Sequence, residues 1–277
     1  MHIRYLDLKK ERLDTYLVSL GYFENKSKAS AAILAGDVII NDEKITKAGF
    51  QINVEKEYEI RIKSMPYVSR GGFKLEKALK VFDVKPKDKI CLDAGASTGG
   101  FTDCLLQNGA KFVYSADVGH NQIDWKFRNH SQVKVIEGCN LKNCAISEIY
   151  EENDEKAELL VCDVSFISLT KVIENFKKLV RDNNYQMICL IKPQFEAGKE
   201  LVEKGGVVRN PKVHIDIIEN IVSHAGNLDL KINNLTFSPI KGPHGNIEYL
   251  ILLSDKENEF ITNAKNIVEE AFSVLNN

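Results

Sequence analysis

The spacing of apolar positions changes once along the chain. In the first stretch Arg12, Leu13, Leu17 and Leu20 recur at helical spacing and stop at Gly21, which predicts a first helix. A second helix is predicted from Ser27, read as its N-cap, through Ala29, Ala32 and Ile33 to Gly36. Val38, Ile39 and Ile40 follow as a short strand, Asn41 and Asp42 as a polar turn, and Tyr58 to Ile62 as a later strand. Two helices with short strands make a compact unit too small for catalysis on its own. Residues 63–67 read as a linker between that unit, 1–62, and a larger one, 68–277. Beyond it the apolar runs Lys89–Leu92, Phe112–Ala116, Val133–Ile136, Leu159–Cys162, Met187–Ile191 and Tyr249–Leu253 are separated mostly by helical stretches. That alternation predicts an α/β domain with a mostly parallel sheet covered on both faces. In such sheets the ligand lies beyond the carboxyl ends of the strands, where the unusual residues of this chain also fall.

Composition changes this picture little. Of 277 residues, 44% are hydrophobic and 27% charged, enough apolar material for a proper core. A net charge of -2 argues against a protein that grips nucleic acid by bulk charge alone. Yet Arg70, Lys74, Lys77, Lys80, Lys85 and Lys87 gather between Arg61 and Lys89, so a local basic face fits inside a neutral total. The six cysteines form no C-x-x-C pair and several sit in apolar runs, so all are expected to be free, buried and reduced, with no metal. No signal-peptide core and no run of roughly 18 apolar residues is present. A cytoplasmic protein that does not enter membranes is the expectation.

The chemistry begins where the first strand of the larger unit meets Asp93, Gly95, Ala96, Ser97, Thr98, Gly99, Gly100 and Phe101. A glycine-rich turn between strand and helix lets backbone amides approach a ligand closely. Its spacing is neither the dinucleotide G-x-G-x-x-G nor a phosphate-cradling P-loop, which favours an uncharged nucleoside with an amino-acid tail. Asp93 is the candidate for the tail's ammonium. Asp117, one strand later and followed by Val118, is the candidate for the ribose hydroxyls. Four charged residues also stand at or near strand ends: Lys74, Asp163, Lys192 and Glu248. A lysine at the end of a buried strand is costly unless paired. Two lysines alternating with two carboxylates satisfy one another and tune an amine towards general-base work, or else form a structural ion-pair network. Phe166 and Phe195 flank these strands; core packing is the expected role, stacking on a splayed base the alternative.

Several motifs together resemble the TlyA family, whose members also carry the name haemolysin A and which is similar to FtsJ-type ribosomal RNA 2′-O-methyltransferases. They are Tyr67-Val68-Ser69-Arg70-Gly71-Gly72, Lys74-Leu75-Glu76-Lys77, the Asp93 turn, Cys162 to Ser168, Ile191-Lys192-Pro193-Gln194-Phe195-Glu196, Gly205 to Arg209 and Gly242 to Asn246. Arg12-Leu13-Asp14, Leu17, Ser27 to Ala29, Ile33, Gly36 and Val38 to Asn41 resemble the RNA-binding module of a small-subunit ribosomal protein. Lys28 stands where arginine is usual there, and Asp42 where glycine is common. The resemblance implies a Rossmann-like methyltransferase with a seven-stranded sheet behind a small α+β RNA-binding domain. It implies S-adenosylmethionine as cofactor, with Asp163 also beside it, and methylation of a ribose 2′-oxygen, a cytidine's, in ribosomal RNA or ribosomal subunits. Lys74, Asp163, Lys192 and Glu248 become a catalytic tetrad with Lys192 as general base. Arg4, Arg12, Lys26 and Lys28 in the small module, and Arg70, Arg209 and Lys241 beyond it, are the expected RNA contacts. The protein is expected to act as a monomer without an obligate protein partner. The rival readings are a ribosome-assembly factor that needs no methyl transfer, a cytolysin, and a methyltransferase acting on a nucleobase or a protein.

Overall fold

The computed structural model describes residues 10–23, 25–63, 65–257 and 263–276. The chain divides into two compact units, Met1–Arg70 and Gly71–Asn277.

In the first unit, β1 (Lys10–Arg12) leads into α1 (Leu13–Ser19), followed by α2 (Lys26–Ala35), β2 (Val38–Ile40), β3 (Glu43–Ile45), β4 (Gln51–Asn53) and β5 (Ile60–Ile62). β2 pairs antiparallel with both β3 and β5, and β1 with β4. Leu13, Leu17, Ala29, Ile33, Val38 and Ile52 form the buried centre. Both predicted helices are present, but α2 is capped by the Asn25 side chain, which accepts from the Lys28 amide, so Ser27 lies inside the helix. The pair β1 and β4 escaped the pattern because each strand has three residues and largely faces solvent.

The second unit opens with α3 (Gly71–Phe82), whose buried face carries Lys74, Leu75, Ala78, Leu79 and Phe82. Next come β6 (Ile90–Ala94), α4 (Gly100–Gln107), β7 (Phe112–Ala116), α5 (Trp125–Arg128), β8 (Val133–Ile136), α6 (Ile146–Ile149) and β9 (Leu159–Cys162). The chain continues with α7 (Ile173–Leu179), β10 (Gln186–Ile191), α8 (Pro193–Glu196), α9 (Pro211–Asn227), β11 (Lys231–Phe237), β12 (Tyr249–Ser254) and α10 (Ala264–Leu275). Seven strands form one sheet in the order β11-β12-β10-β9-β6-β7-β8. Only β12 runs against the rest, antiparallel to β10 and β11. The strand fill is almost wholly apolar, as a sheet covered on both faces requires: every residue of β9 and β12 is buried. β11 is the strand the apolar pattern missed. It carries Lys231, Asn233 and Asn234, and a bulge between Ile232 and Asn234 breaks its two-residue period.

Two features of this topology place the site. From β6 the chain winds one way through β7 and β8, then returns to lay β9 on the other side of β6. The carboxyl ends of β6 and β9 therefore flank the switch point where ligands bind in open sheets. The reversed β12 pairs Tyr249 with Ile191 of β10, which brings the residue before β12, Glu248, beside the residue after β10, Lys192.

Cys139 and Cys144, in the loop between β8 and α6, are joined in a disulfide with Cα atoms 6.1 Å apart, contrary to the expectation that all six thiols are free. Their C-x4-C spacing is unlike a zinc-ribbon pair, and only the loop's turn brings them together. Cys91, Cys104, Cys162 and Cys189 are free and buried. Among the described residues, Cys139, Cys144 and Glu148 bring metal-ligand-type atoms within 4.8 Å of one another, both sulfurs being held by the disulfide. No described helix is long and apolar enough to cross a membrane.

Candidate active site

At the end of β6, Asp93 is fully buried. Its Oδ2 accepts from the Thr102 amide at 2.9 Å and the Thr102 hydroxyl at 2.7 Å, while Oδ1 is buried with no partner. Burial pushes this carboxyl up to about 7, against the pull of Thr102. Such an atom marks where a cationic donor is wanted. Beyond it Gly95 adopts φ +89°, and a Cβ there would sit 3.1 Å from the backbone of Asp163 and Val164. Only glycine lets the turn lie this close to the end of β9. Asp117 follows β7 and accepts from the Ser97 and Gly119 amides at 2.8 and 2.7 Å, so its carboxylate ties the glycine-rich turn to the next loop. Ala96, Ser97, Asp117 and Gly119 line one narrow crevice with Gln122, Ile123, Ile136 and Glu137. Gln122, Ile136 and Glu137 were not among the expected ligand residues; their only signal was position after β7 and at the end of β8. Ser97 is exposed and Val118 is 65% exposed, whereas the Phe101 side chain is buried beneath the turn, leaving only its backbone for a ligand.

The four strand-end charges do converge. Lys74, on the buried face of α3, donates to Glu248 Oε2 at 2.7 Å and lies 3.5 Å from Asp163 Oδ2. Lys192 Nζ is 2.6 Å from Asp163 Oδ1 and donates to Ser165 Oγ at 2.7 Å. Glu248 is fully buried and both lysines nearly so. Burial pushes the Asp163 carboxyl up, but Lys192 and then Lys74 outweigh it and hold it below the usual carboxylate value. Charges this deep persist because each ammonium faces a carboxylate. Glu248 needs a further accommodation: a Cβ on Gly242 would collide with its carboxylate. Ser165 was within the motif that signalled Asp163, but nothing in its spacing marked it as the partner of Lys192.

Phe166 corrects the packing expectation. It is 84% exposed, with φ +62°, and its ring stands 5.0 Å from that of Phe195. Lys142, Phe166, Ile167, Ser168, Lys171 and Phe195 line an open concavity of about 460 Å³ at the mouth of the site.

The expected RNA contacts fall into separate groups. Arg4 lies outside the described residues. Arg12 and Lys26 converge on the buried Asp14, at 2.5 and 3.9 Å, and Lys28 is exposed. The Arg12 hydrogen bond is the main reason the Asp14 carboxyl drops to about 2. Arg70 stacks on the Tyr22 ring at 4.7 Å. Arg209 pairs with Glu203 at 3.2 Å and is 64% exposed in its side chain. Lys241 donates to Asn276 and is pushed below the usual lysine value by burial and then by Arg209, which makes these two cations neighbours.

Residues 67–255 match the family described as FtsJ-like methyltransferase, and residues 11–57 match the S4 domain. The chain belongs to the FtsJ-like methyltransferase family. It is 48% identical to hemolysin A of Brachyspira hyodysenteriae, over 86% of this chain and 98% of that one. To the 16S/23S rRNA (cytidine-2′-O)-methyltransferase TlyA of Mycobacterium tuberculosis it is 35% identical, over 88% and 90%. A solved structure of a candidate hemolysin from Streptococcus thermophilus, 38% identical, superposes with a TM-score of 0.76 over 97% of this chain and 98% of that one. The protein is thus an S-adenosylmethionine-dependent methyltransferase with an S4 domain at its N-terminal side. Its crevice fits that cofactor: the partnerless Oδ1 of Asp93 suits an ammonium, and Asp117 retains acceptor capacity for ribose hydroxyls.

Proposed function

We propose that this methyltransferase modifies a ribose 2′-hydroxyl of ribosomal RNA, that of a cytidine, with Lys192 as the general base. The observation that carries the reading is the Lys74–Asp163–Lys192–Glu248 cluster at the switch point beside the cofactor crevice. The Mycobacterium tuberculosis relative, a 16S/23S rRNA (cytidine-2′-O)-methyltransferase by name, supports both the substrate and the position of methylation.

S-adenosylmethionine supplies an electrophilic methyl group on a sulfonium, so the demands left to the chain are alignment and removal of one proton. Asp93 and the turn Gly95–Phe101 hold the amino-acid end, and Asp117 with Val118 the ribose. Asp163, between β9 and the turn, orients Lys192 from one carboxylate oxygen and Lys74 from the other. Lys192 acts in its neutral amine form: once its ammonium has released a proton to solvent, Nζ takes the 2′-hydroxyl proton as the ribose oxygen attacks the methyl carbon, and Ser165 holds that amine on its second side. Glu248 anchors Lys74, which keeps positive charge close to the oxygen that loses its proton. Phe166 and Phe195 offer an aromatic face to the base carried by that ribose.

Residues 1–62 act as the RNA-binding module through Arg4, Arg12, Lys26 and Lys28, residues 63–67 link, and residues 68–277 catalyse. Arg70, Arg209 and Lys241 add phosphate contacts. The enzyme works in the cytoplasm as a monomer on ribosomal subunits. The test is methyl transfer from radiolabelled S-adenosylmethionine to isolated ribosomal subunits by the wild type and Lys192→Ala. Label in ribosomal RNA from the wild type alone, with cofactor and RNA binding retained by the variant, is expected. Equal labelling by both removes Lys192 as base, and no labelling by either removes the RNA substrate.

A further inference from the structure

The loops after β9 and β10 carry the active lysine, its serine partner and the Phe166–Phe195 pair, and Lys192–Ser165 and Phe195–Phe166 contacts bridge them near the site. A further side chain ties them beyond it. Glu196, at the end of the single turn α8, accepts from the Ser168 hydroxyl at 2.6 Å through Oε2 and from the Leu169 amide at 2.7 Å through Oε1. Both oxygens are thereby spent on the loop that runs from Asp163 to Leu169. Ser168 is itself tied down: its hydroxyl oxygen accepts from the Thr170 amide at 3.2 Å and lies 2.7 Å from the Thr170 hydroxyl.

The geometry points to Glu196 as a positioning residue that latches the loop after β9 to the loop after β10. It acts through others and touches neither reacting atom. One residue before Glu196 lies Phe195 and two before Ser168 lies its ring partner Phe166, with Ser165, the partner of Lys192, next to it. Phe166 holds a left-handed backbone, φ +62°, that a phenylalanine rarely adopts unaided. Two hydrogen bonds accepted by one carboxylate, from Ser168 and Leu169 just beyond it, fix the chain on the far side of that residue. The latch therefore sets the separation of the two phenyl rings and the placement of Ser165 against Lys192 before substrate arrives. Burial pushes the Glu196 carboxyl above its usual value, while Ser168, Leu169 and Lys171 pull the other way, as for an acid committed to an internal contact.

This inference deepens the proposed function and has its own readout. Hydrogen exchange of the segment 164–170 is compared in full-length wild type, Glu196→Ala, Glu196→Gln and Ser168→Ala. Glutamine can still accept from the Leu169 amide and meet the Ser168 hydroxyl, so it is expected to keep the protection that alanine loses. Turnover on ribosomal subunits at saturating cofactor should fall roughly 10- to 100-fold in Glu196→Ala, with cofactor affinity unchanged, and recover to within about threefold in Glu196→Gln. Ser168→Ala, which leaves Glu196 in place, should lie between and covers the case in which Glu196→Ala fails to fold. Wild-type exchange in Glu196→Ala or in its stand-in Ser168→Ala, or a glutamine variant as impaired as alanine, overturns the latch. A wild type that labels no RNA overturns the proposed function instead, while the exchange comparison still decides the latch.

Discussion

Asp93 and Asp163 end neighbouring parallel strands, yet their carboxyls stand in opposite electrostatic situations. Asp163 has an ammonium on each oxygen and is held below the usual carboxylate value despite its burial. Asp93 has two neutral donors on one oxygen and nothing on the other, and burial raises it to about 7. The half proposed to carry the chemistry supplies its own counter-charges and is assembled without any ligand. The cofactor half holds a buried acid that suits a positive charge brought by the ligand. On the proposed function, self-sufficient charge serves chemistry and incomplete charge serves recognition.

Breaking the self-sufficient half should have the largest effects. Lys192→Ala is expected to lower turnover roughly 100- to 10,000-fold, the range of a lost general base, with cofactor affinity retained by titration calorimetry. Lys74→Met should strand the fully buried Glu248 and cost about 3–5 kcal/mol of stability, read as a lower thermal midpoint. The double variant Lys74→Met/Glu248→Leu should regain much of that loss, because an apolar pair leaves no lone charge.

Completing or neutralising the other half sharpens the comparison. Asp93→Asn should weaken cofactor binding by about 10- to 100-fold, as for a lost charge-assisted hydrogen bond. It should also raise the thermal midpoint at pH 8. The ordinary value of this carboxyl is 3.8 and the folded value about 7, so the stability it contributes is present at low pH and is lost as pH rises through 7. The gap between variant and wild type should therefore widen from pH 5 to pH 8, and wild-type cofactor affinity should fall below pH 7. The smallest effect is expected at the surface. Arg209→Ala and Lys241→Ala should each weaken RNA binding modestly and reduce the salt slope by about one.

The sequence showed much of this arrangement for a physical reason. Buried strands are continuous apolar runs, so a charge at the end of one, such as Asp163 or Lys192, stands out without coordinates. What stayed hidden depends on register and loop path. The bulge in β11 scrambles its alternation, so the edge strand carried no signal. Glu248 could be suspected from its polarity, but its meeting with Lys74 at 174 residues' separation required β12 to run backwards between its neighbours. Ser165 and Glu196 sat inside motifs already noted, and only the fold of two loops showed which partners they had. Phe166 was legible as an aromatic but not as an exposed one, because a left-handed turn reverses the side the pattern assigns.

The most direct test of the central claim is the chemical identity of the product. RNA from ribosomal subunits labelled by the wild-type enzyme would be digested to nucleosides and the labelled species resolved by mass spectrometry. The account predicts a cytidine methylated on its ribose 2′-oxygen. A methyl group on a nucleobase, or label found in ribosomal protein, would contradict it.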